Sequence, residues 1–240
     1  MRHNPRNVKA PALPASPEPV SEHVYRELRK AIVRCDFEPG TRLRVEELTR
    51  RLGVSSSPVR EALNRLAEQG IVSTLENRGF RVARLTSDGV ADLVRVRLLV
   101  ECEALSDSIA HGDDSWEAGV VAAAHSLALV ERRLGDGPRA LDDDWSARHR
   151  AFHLSLYAAC TSEILRDLVD VLFDRAEHYR RWTAKYRQAP RRKHDEHQKL
   201  MAAALARDTE KAVELLRRHI ARTGDLVGAV LDGGPPEWIQ

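Results

Sequence analysis

The chain has 240 residues, with 38 Lys and Arg against 36 Asp and Glu, for a net charge of +2. That length suits one large domain or two modest ones, and the near-neutral balance excludes a protein coated in basic charge. Its three cysteines, Cys35, Cys102 and Cys160, are far apart and form no CxxC pair, which indicates neither a zinc ribbon nor a disulfide framework. No apolar run reaches membrane-spanning length and no signal peptide is evident, so the expectation is a cytoplasmic protein with reduced thiols and no membrane partner.

In chain order, residues 1–20 hold Pro5, Pro11, Pro14, Pro17 and Pro19 without apolar periodicity. They read as a disordered arm. The first third then concentrates Arg26, Arg29, Lys30, Arg34, Arg42, Arg44, Arg50, Arg51, Arg60 and Arg65. Such a cluster is either a solvated helix face or the local basic patch that phosphate contact requires.

Residues 45–82 hold the most specific pattern. VEELTRRLGV is a short amphipathic helix that ends at a turn around Gly53. SSSPVREALNRLAEQG opens a second helix, with Ser57 expected as N-cap and Pro58 at the first helical position, where its missing N–H costs nothing. Val59, Ala62, Leu63 and Leu66 fall at i, i+3, i+4 and i+7 and make one core-facing stripe. IVSTLENRGFRV is two β-rich runs joined at Asn77-Arg78-Gly79, a hairpin signal.

Helix, turn, helix and hairpin together predict a winged helix-turn-helix over 21–85, whose second helix enters the DNA major groove. On that helix Arg60 and Asn64 lie four apart, opposite the apolar stripe. Arg can bridge guanine O6 and N7, and Asn adenine N6 and N7. Ser55, Ser56 and Ser57 can donate to phosphate oxygens beside the helix N-terminus. Arg44 belongs with these contacts, Arg78 takes the wing tip, and Gly79 permits close approach. Either residue of the Arg60–Asn64 pair, taken alone, is equally consistent with a solvated surface position.

From Ser87 strand signals vanish. About six helices are expected, near 87–110, 116–133, 142–159, 163–187, 191–207 and 209–231, with breaks at Gly112, 135–138, 161–162, Pro190 and Asp208. The fold class is mainly α: the winged domain, an all-α bundle over 86–232 and a tail over 233–240. Within the bundle His149 and His153 stand four apart, His197 lies on a later helix and His219 on the last. Inward-facing imidazoles from several helices can build a transition-metal site, although some His pair at helical spacing also arises by chance. HRAFH superficially matches the zinc-hydrolase HExxH, but Arg150 stands where that motif needs its Glu base, so an enzyme is not expected.

YRELRKAIVRCDFEPGTRL, GVSSSPVREALNRLAEQGIV and NRGFRV resemble the N-terminal domain of GntR-family transcription regulators, over roughly 24–82. The resemblance implies a homodimer that binds a short inverted repeat in duplex DNA, with Arg60 and Gly79 as contacts. Ser56 departs from the family, which commonly has Arg there, so that contact does not carry over.

Residues 87–230 resemble the FadR-subfamily effector domain, often named FCD. Its metal pattern falls on Phe152-His153, Glu196-His197 and His219, with His149 in place of the usual acidic or amide ligand. This implies a divalent transition metal, zinc or nickel, and a small carboxylate effector. Arg97 and Glu101, in RVRLLVECEAL, also match. Arg97 then either reaches the pocket to grip a carboxylate or forms an i,i+4 surface pair with Glu101. Tyr179, in LFDRAEHYRRW, joins the expected effector contacts.

The segments WSARHRAFHLSLYAACTSEIL, LFDRAEHYRRW and KHDEHQKLMAAALARDTEKA resemble the carbon-starvation-induced, glutarate-responsive repressor type, which also carries His at the first ligand position. That implies a catabolic repressor released by a dicarboxylate such as glutarate or 2-hydroxyglutarate. An activator of the same class, or an architectural DNA-binding protein without ligand response, stays open from the residues.

Overall fold

The computed structural model describes residues 19–75, 79–134, 139–186 and 194–233. The arm over 1–18, Arg78, the breaks at 135–138 and Pro190, and the tail from 234 lie outside the described residues.

The first body is built on α1 (Val20–Val33), β1 (Arg42–Leu43), α2 (Val45–Leu52), α3 (Ser56–Glu68), β2 (Val72–Leu75) and β3 (Gly79–Val82). Apolar spacing explains its core. Val24, Leu28 and Ile32 of α1 repeat every four residues and meet Val59, Ala62, Leu63 and Leu66 of α3 over Leu48 and Phe80. Gly53 ends α2 in the left-handed region, at φ +68°, and gives its N–H to Thr49 O at 2.9 Å.

The strands run antiparallel in the order β1-β3-β2, with Val72 opposite Val82 and Leu75 opposite Gly79. Two details correct the sequence reading. β1 was not anticipated; it is a two-residue strand that pairs Arg42 with Arg81 and Leu43 with Phe80. The N-cap of α3 is Ser55, in extended geometry, so Pro58 sits third in the helix. That position is still in the first turn, where no backbone N–H is needed.

The second body comprises α4 (Ser87–His111), α5 (Asp114–Leu134), a short 3₁₀ turn (Arg139–Leu141), α6 (Asp143–Leu156), α7 (Glu163–Ala184), α8 (His194–Leu205) and α9 (Thr209–Asp232). Side-chain caps set five of the starts: Thr86 accepts from Gly89 N, Asp113 from Trp116 N, Asp142 from Trp145 N, Ser162 from Leu165 N and Asp208 from Lys211 N. α4 packs along α9 and α7, while α5 bridges α6 and α8. The core they enclose includes Leu105, Val120, Phe152, Leu156, Leu200, Leu216 and Ile220. α6 is shorter than expected, since Tyr157–Ala159 form a turn.

The two bodies meet where α1 lies against α7. Arg29 pairs with the buried Asp174, Arg34 Nη2 reaches Asp143 Oδ2 at 2.7 Å, Lys185 Nζ donates to Cys35 O at 3.0 Å, and Arg175 Nε donates to Gln69 O at 2.6 Å. Arg65 turns to Glu22 at 2.8 Å and lies over the Tyr25 ring. Arg29, Arg34 and Arg65 are therefore spent on internal ion pairs, and the expected basic patch is smaller by these three residues.

Candidate functional site

The face expected to read DNA follows from how α3 is held. Its apolar stripe is buried, with Val59, Ala62, Leu63 and Leu66 at 0% exposure, so Arg60 and Asn64 on the opposite side must face solvent, and they do. Ser55, Ser56 and Ser57 are exposed at the helix N-terminus. Gly79 is exposed at φ +97°, a conformation that explains glycine there. Arg44 is exposed at the start of α2, where its Nη1 lies 3.2 Å from Glu47 Oε1.

The histidines come together in the second body. His149 and His153 from α6, His197 from α8 and His219 from α9 are all buried, and each offers a ligand atom within 4.8 Å of the others. The Nε2 atoms of His149 and His153 are 3.2 Å apart. Two nitrogens on one ion at about 2.0–2.1 Å stand about 3.0–3.4 Å apart, so this spacing fits a shared ion.

The chemistry fits as well. Burial, and then the charges of His219, His197, Arg97 and Arg180, hold the His153 pKa well below its ordinary value. The ring is therefore neutral, as a metal ligand must be. Its Nδ1 is buried without a hydrogen-bond partner. His219 Nδ1 lies 2.9 Å from Glu196 Oε2, which fixes the proton on that nitrogen and leaves Nε2 as the lone pair. Glu196 is steadied in turn by Arg222 at 2.6 Å. The cluster could thus hold a transition metal.

Around the histidines the structure supplies groups the sequence reading did not assign. Trp145, one turn before His149, stacks on its ring at 4.5 Å and donates Nε1 to Glu131 Oε1 at 3.2 Å. Its place in a Trp145–His149–His153 stripe at i, i+4, i+8 was the signal that could have found it. Arg180 Nη1 stands 2.8 Å from His149 Nδ1 and pairs with Glu177. No local pattern marks Arg180, since α7 carries arginines on several faces.

Arg97 resolves its two alternatives in an unexpected way. It does pair with Glu101, Nε to Oε1 at 2.5 Å and Nη2 to Oε2 at 3.1 Å, but the pair is buried rather than on the surface. Tyr157 donates to Glu101 Oε2 at 2.9 Å, and burial followed by that carboxylate raises the Tyr157 pKa well above its usual value. Tyr179 does not join the histidines. Its hydroxyl lies 3.4 Å from Thr86 N, and its ring packs with Val90, Leu93, Leu172 and Val227. Successive helix residues point about 100° apart, so Tyr179 and Arg180 face different neighbours. Arg150, where a hydrolase would need its base, is turned to Asp170.

Comparison with known proteins agrees with both halves. Residues 20–82 match the model of bacterial regulatory proteins of the gntR family, and residues 92–222 match the FCD domain. The chain is 40% identical over 212 residues to the HTH-type transcriptional regulator BphR of Paraburkholderia xenovorans, covering 86% of each. It is 39% identical over 200 residues to the HTH-type transcriptional repressor GlaR of Escherichia coli, covering 82% of this chain and 90% of that one.

Among solved structures, a GntR regulator from Rhodococcus sp. RHA1 superposes with a TM-score of 0.67 at 25% identity, over 90% of this chain and 99% of the other. McbR/YncC of Escherichia coli shares the fold, with a TM-score of 0.73 at 20% identity over 88% of this chain and 97% of that one. Among the described residues no helix is long and apolar enough to cross a membrane. With a winged helix-turn-helix presenting α3 and a helical domain closed around four histidines, the chain belongs to the GntR family of DNA-binding transcriptional regulators, of the FCD type, and is not an enzyme.

Proposed function

We propose that the protein is a cytoplasmic, metal-dependent repressor that binds an inverted-repeat operator as a homodimer and is released by a small carboxylate. The observation that carries this reading is the buried tetrad His149, His153, His197 and His219, with Arg97 and Arg180 close enough to depress His153. An imidazole-only ligand set suits zinc or nickel and leaves the ion's full positive charge for an anionic partner. When bound, the ion supplies a Lewis-acidic seat for a carboxylate oxygen, and the Arg97 side supplies the guanidinium that grips the remainder. The likeness to glutarate-responsive repressors makes glutarate or 2-hydroxyglutarate the first candidates.

Coupling to DNA is supported by a chain of polar contacts that starts buried at the histidines and ends at the exposed Asp143. Arg180 meets His149 and pairs with Glu177; Ser146 Oγ donates to Glu177 Oε1 at 2.7 Å; Arg181 Nη1 donates to Ser146 Oγ at 3.1 Å and its Nη2 reaches Asp143 Oδ1 at 2.7 Å; Asp143 holds Arg34 of α1. A guanidinium can only donate. Were His149 to hold an ion through Nε2, its proton would sit on Nδ1, where Arg180 could no longer donate, and Arg180 would shift. Arg180 would then be a two-position element between the site and the DNA-binding domain.

The test is a titration of glutarate, 2-hydroxyglutarate, succinate and lactate into the protein–operator complex, beside elemental analysis of untagged protein. Near-stoichiometric metal is expected, with dissociation by one of the acids. Arg34→Ala should retain metal and ligand binding while its DNA release shrinks. Less than about a tenth of an equivalent of metal, with no thermal stabilisation by zinc or nickel, sinks the metal reading.

A further inference from the structure

A second cleft opens at the junction of the two bodies, away from the histidines. It has a volume of about 250 Å³ and is walled by Ile71 at the end of the recognition-helix unit, Arg84 in the connector, Leu93 of α4, and Arg175, His178 and Tyr179 of α7. Its charge is uneven. Among the described residues Arg84 has no hydrogen-bond or ion-pair partner, and its side chain is exposed at the cleft. Arg175 spends Nε on a neutral acceptor, Gln69 O, at 2.6 Å. The cleft's carboxylate, Asp92, is engaged by Arg95 at 2.9 Å. Two guanidinium groups thus stand against one carboxylate on one small concave surface.

His178 adds a second, independent sign. It lines the cleft, is 2% exposed, and its Nε2 is buried without a hydrogen-bond partner. A buried polar atom in that state costs stability unless something in the functional protein satisfies it. The other walls, Leu85, Leu93 and Leu172, are apolar.

We propose that this cleft is a second ligand site, for a small organic carboxylate with an apolar body. Its head meets Arg84 and Arg175, which offer the planar donors that a carboxylate takes in pairs. Its body lies on the leucines, with His178 and the Tyr179 hydroxyl as the nearby polar groups. The volume is below that of a drug-sized pocket, which limits the occupant to a small acid. Such an occupant touches both bodies and the connector, so it ties the DNA-binding domain to α7 independently of the histidine site.

The experiment is calorimetric titration of the full-length protein with benzoate and with inorganic phosphate, and observation of the His178 ring resonances. Benzoate is expected to bind saturably and to shift the His178 signals. Phosphate, without an apolar body, should bind more weakly. Arg84→Gln, a partner-free position, should fold normally and weaken benzoate about tenfold or more. His153→Asn, which damages the histidine site, should leave the benzoate-induced His178 shift in place. Absence of saturable benzoate binding in the millimolar range, binding unchanged in Arg84→Gln, phosphate binding as tight as benzoate, or loss of the His178 shift in His153→Asn would each overturn the proposal.

Discussion

The exposed face of α3 and the histidine cluster of the bundle handle charge in opposite ways. Arg60 and Asn64 stand exposed on a helix whose other side is fixed by a dry apolar core. Rigidity there comes from beneath, and the polar groups stay hydrated until DNA arrives. In the bundle, Arg97, Glu101, Glu177, Arg180 and Arg181 are buried, and each is held by opposite charge. A surface reader tolerates substitution because water replaces a lost partner; a buried charge has no such substitute. The same change, removal of one carboxylate, should therefore have very different consequences in the two regions.

The largest effect is expected from Glu101→Ala. It strips Arg97 of its bidentate partner and leaves Tyr157 without the acceptor it has here, which should destabilise the fold by about 3–5 kcal/mol in urea unfolding. A loss below about 1 kcal/mol would mean that water reaches the pair.

Acid should separate the regions next. Burial pushes the His178 pKa from 6.5 down to about 4. The unfolded chain then binds a proton that the folded chain refuses, so the stability this group contributes is complete above pH 6.5 and is lost as pH falls toward 4. His178→Leu should reduce the slope of stability against pH in that window by up to about 1.4 kcal/mol per unit, read as the difference from metal-free wild type. Parallel curves would show that the ring is protonated in the fold.

Arg60→Ala should weaken specific operator binding by about 1–3 kcal/mol and leave unfolding unchanged, as a base contact on a hydrated face requires. If that variant footprints its operator like wild type, Arg60 is not a reader. Smallest of all, Glu47→Ala removes the exposed partner of Arg44 and should move stability by no more than about 0.5 kcal/mol. A larger change would place that ion pair among the buried ones in behaviour.

What the sequence disclosed follows the range of the signal. Gly53, the stripe from Val59 to Leu66 and the hairpin runs are local patterns, and the winged domain could be read from them directly. β1 escaped because two residues carry no periodicity and its pairing with β3 is non-local. The capping serine was misplaced by two positions because three serines precede a proline that any first-turn position accepts. His149 and His153 announced themselves by spacing, His197 and His219 by their places on later helices, and the resemblance added weight to all but His149.

The basic cluster misled in part. Charge counted along α1 does not say which arginines face DNA, and Arg29 and Arg34 face α7 and α6 instead. Tyr179 illustrates the same limit, since one step along a helix changes the neighbourhood entirely. Arg180 and the junction cleft depend on how separate helices pack, which no single stretch of chain encodes.

The stacking of Trp145 on His149 gives the site its own optical reporter. The indole is 3% exposed and lies 4.5 Å from an imidazole that would have to change its proton or its partner when the cluster is filled. Its fluorescence therefore registers events among the histidines without any attached dye. An open-shell ion such as nickel would drain that emission, while closed-shell zinc would leave most of it. The intensity of one buried side chain would thus distinguish nickel from zinc added to the four histidines.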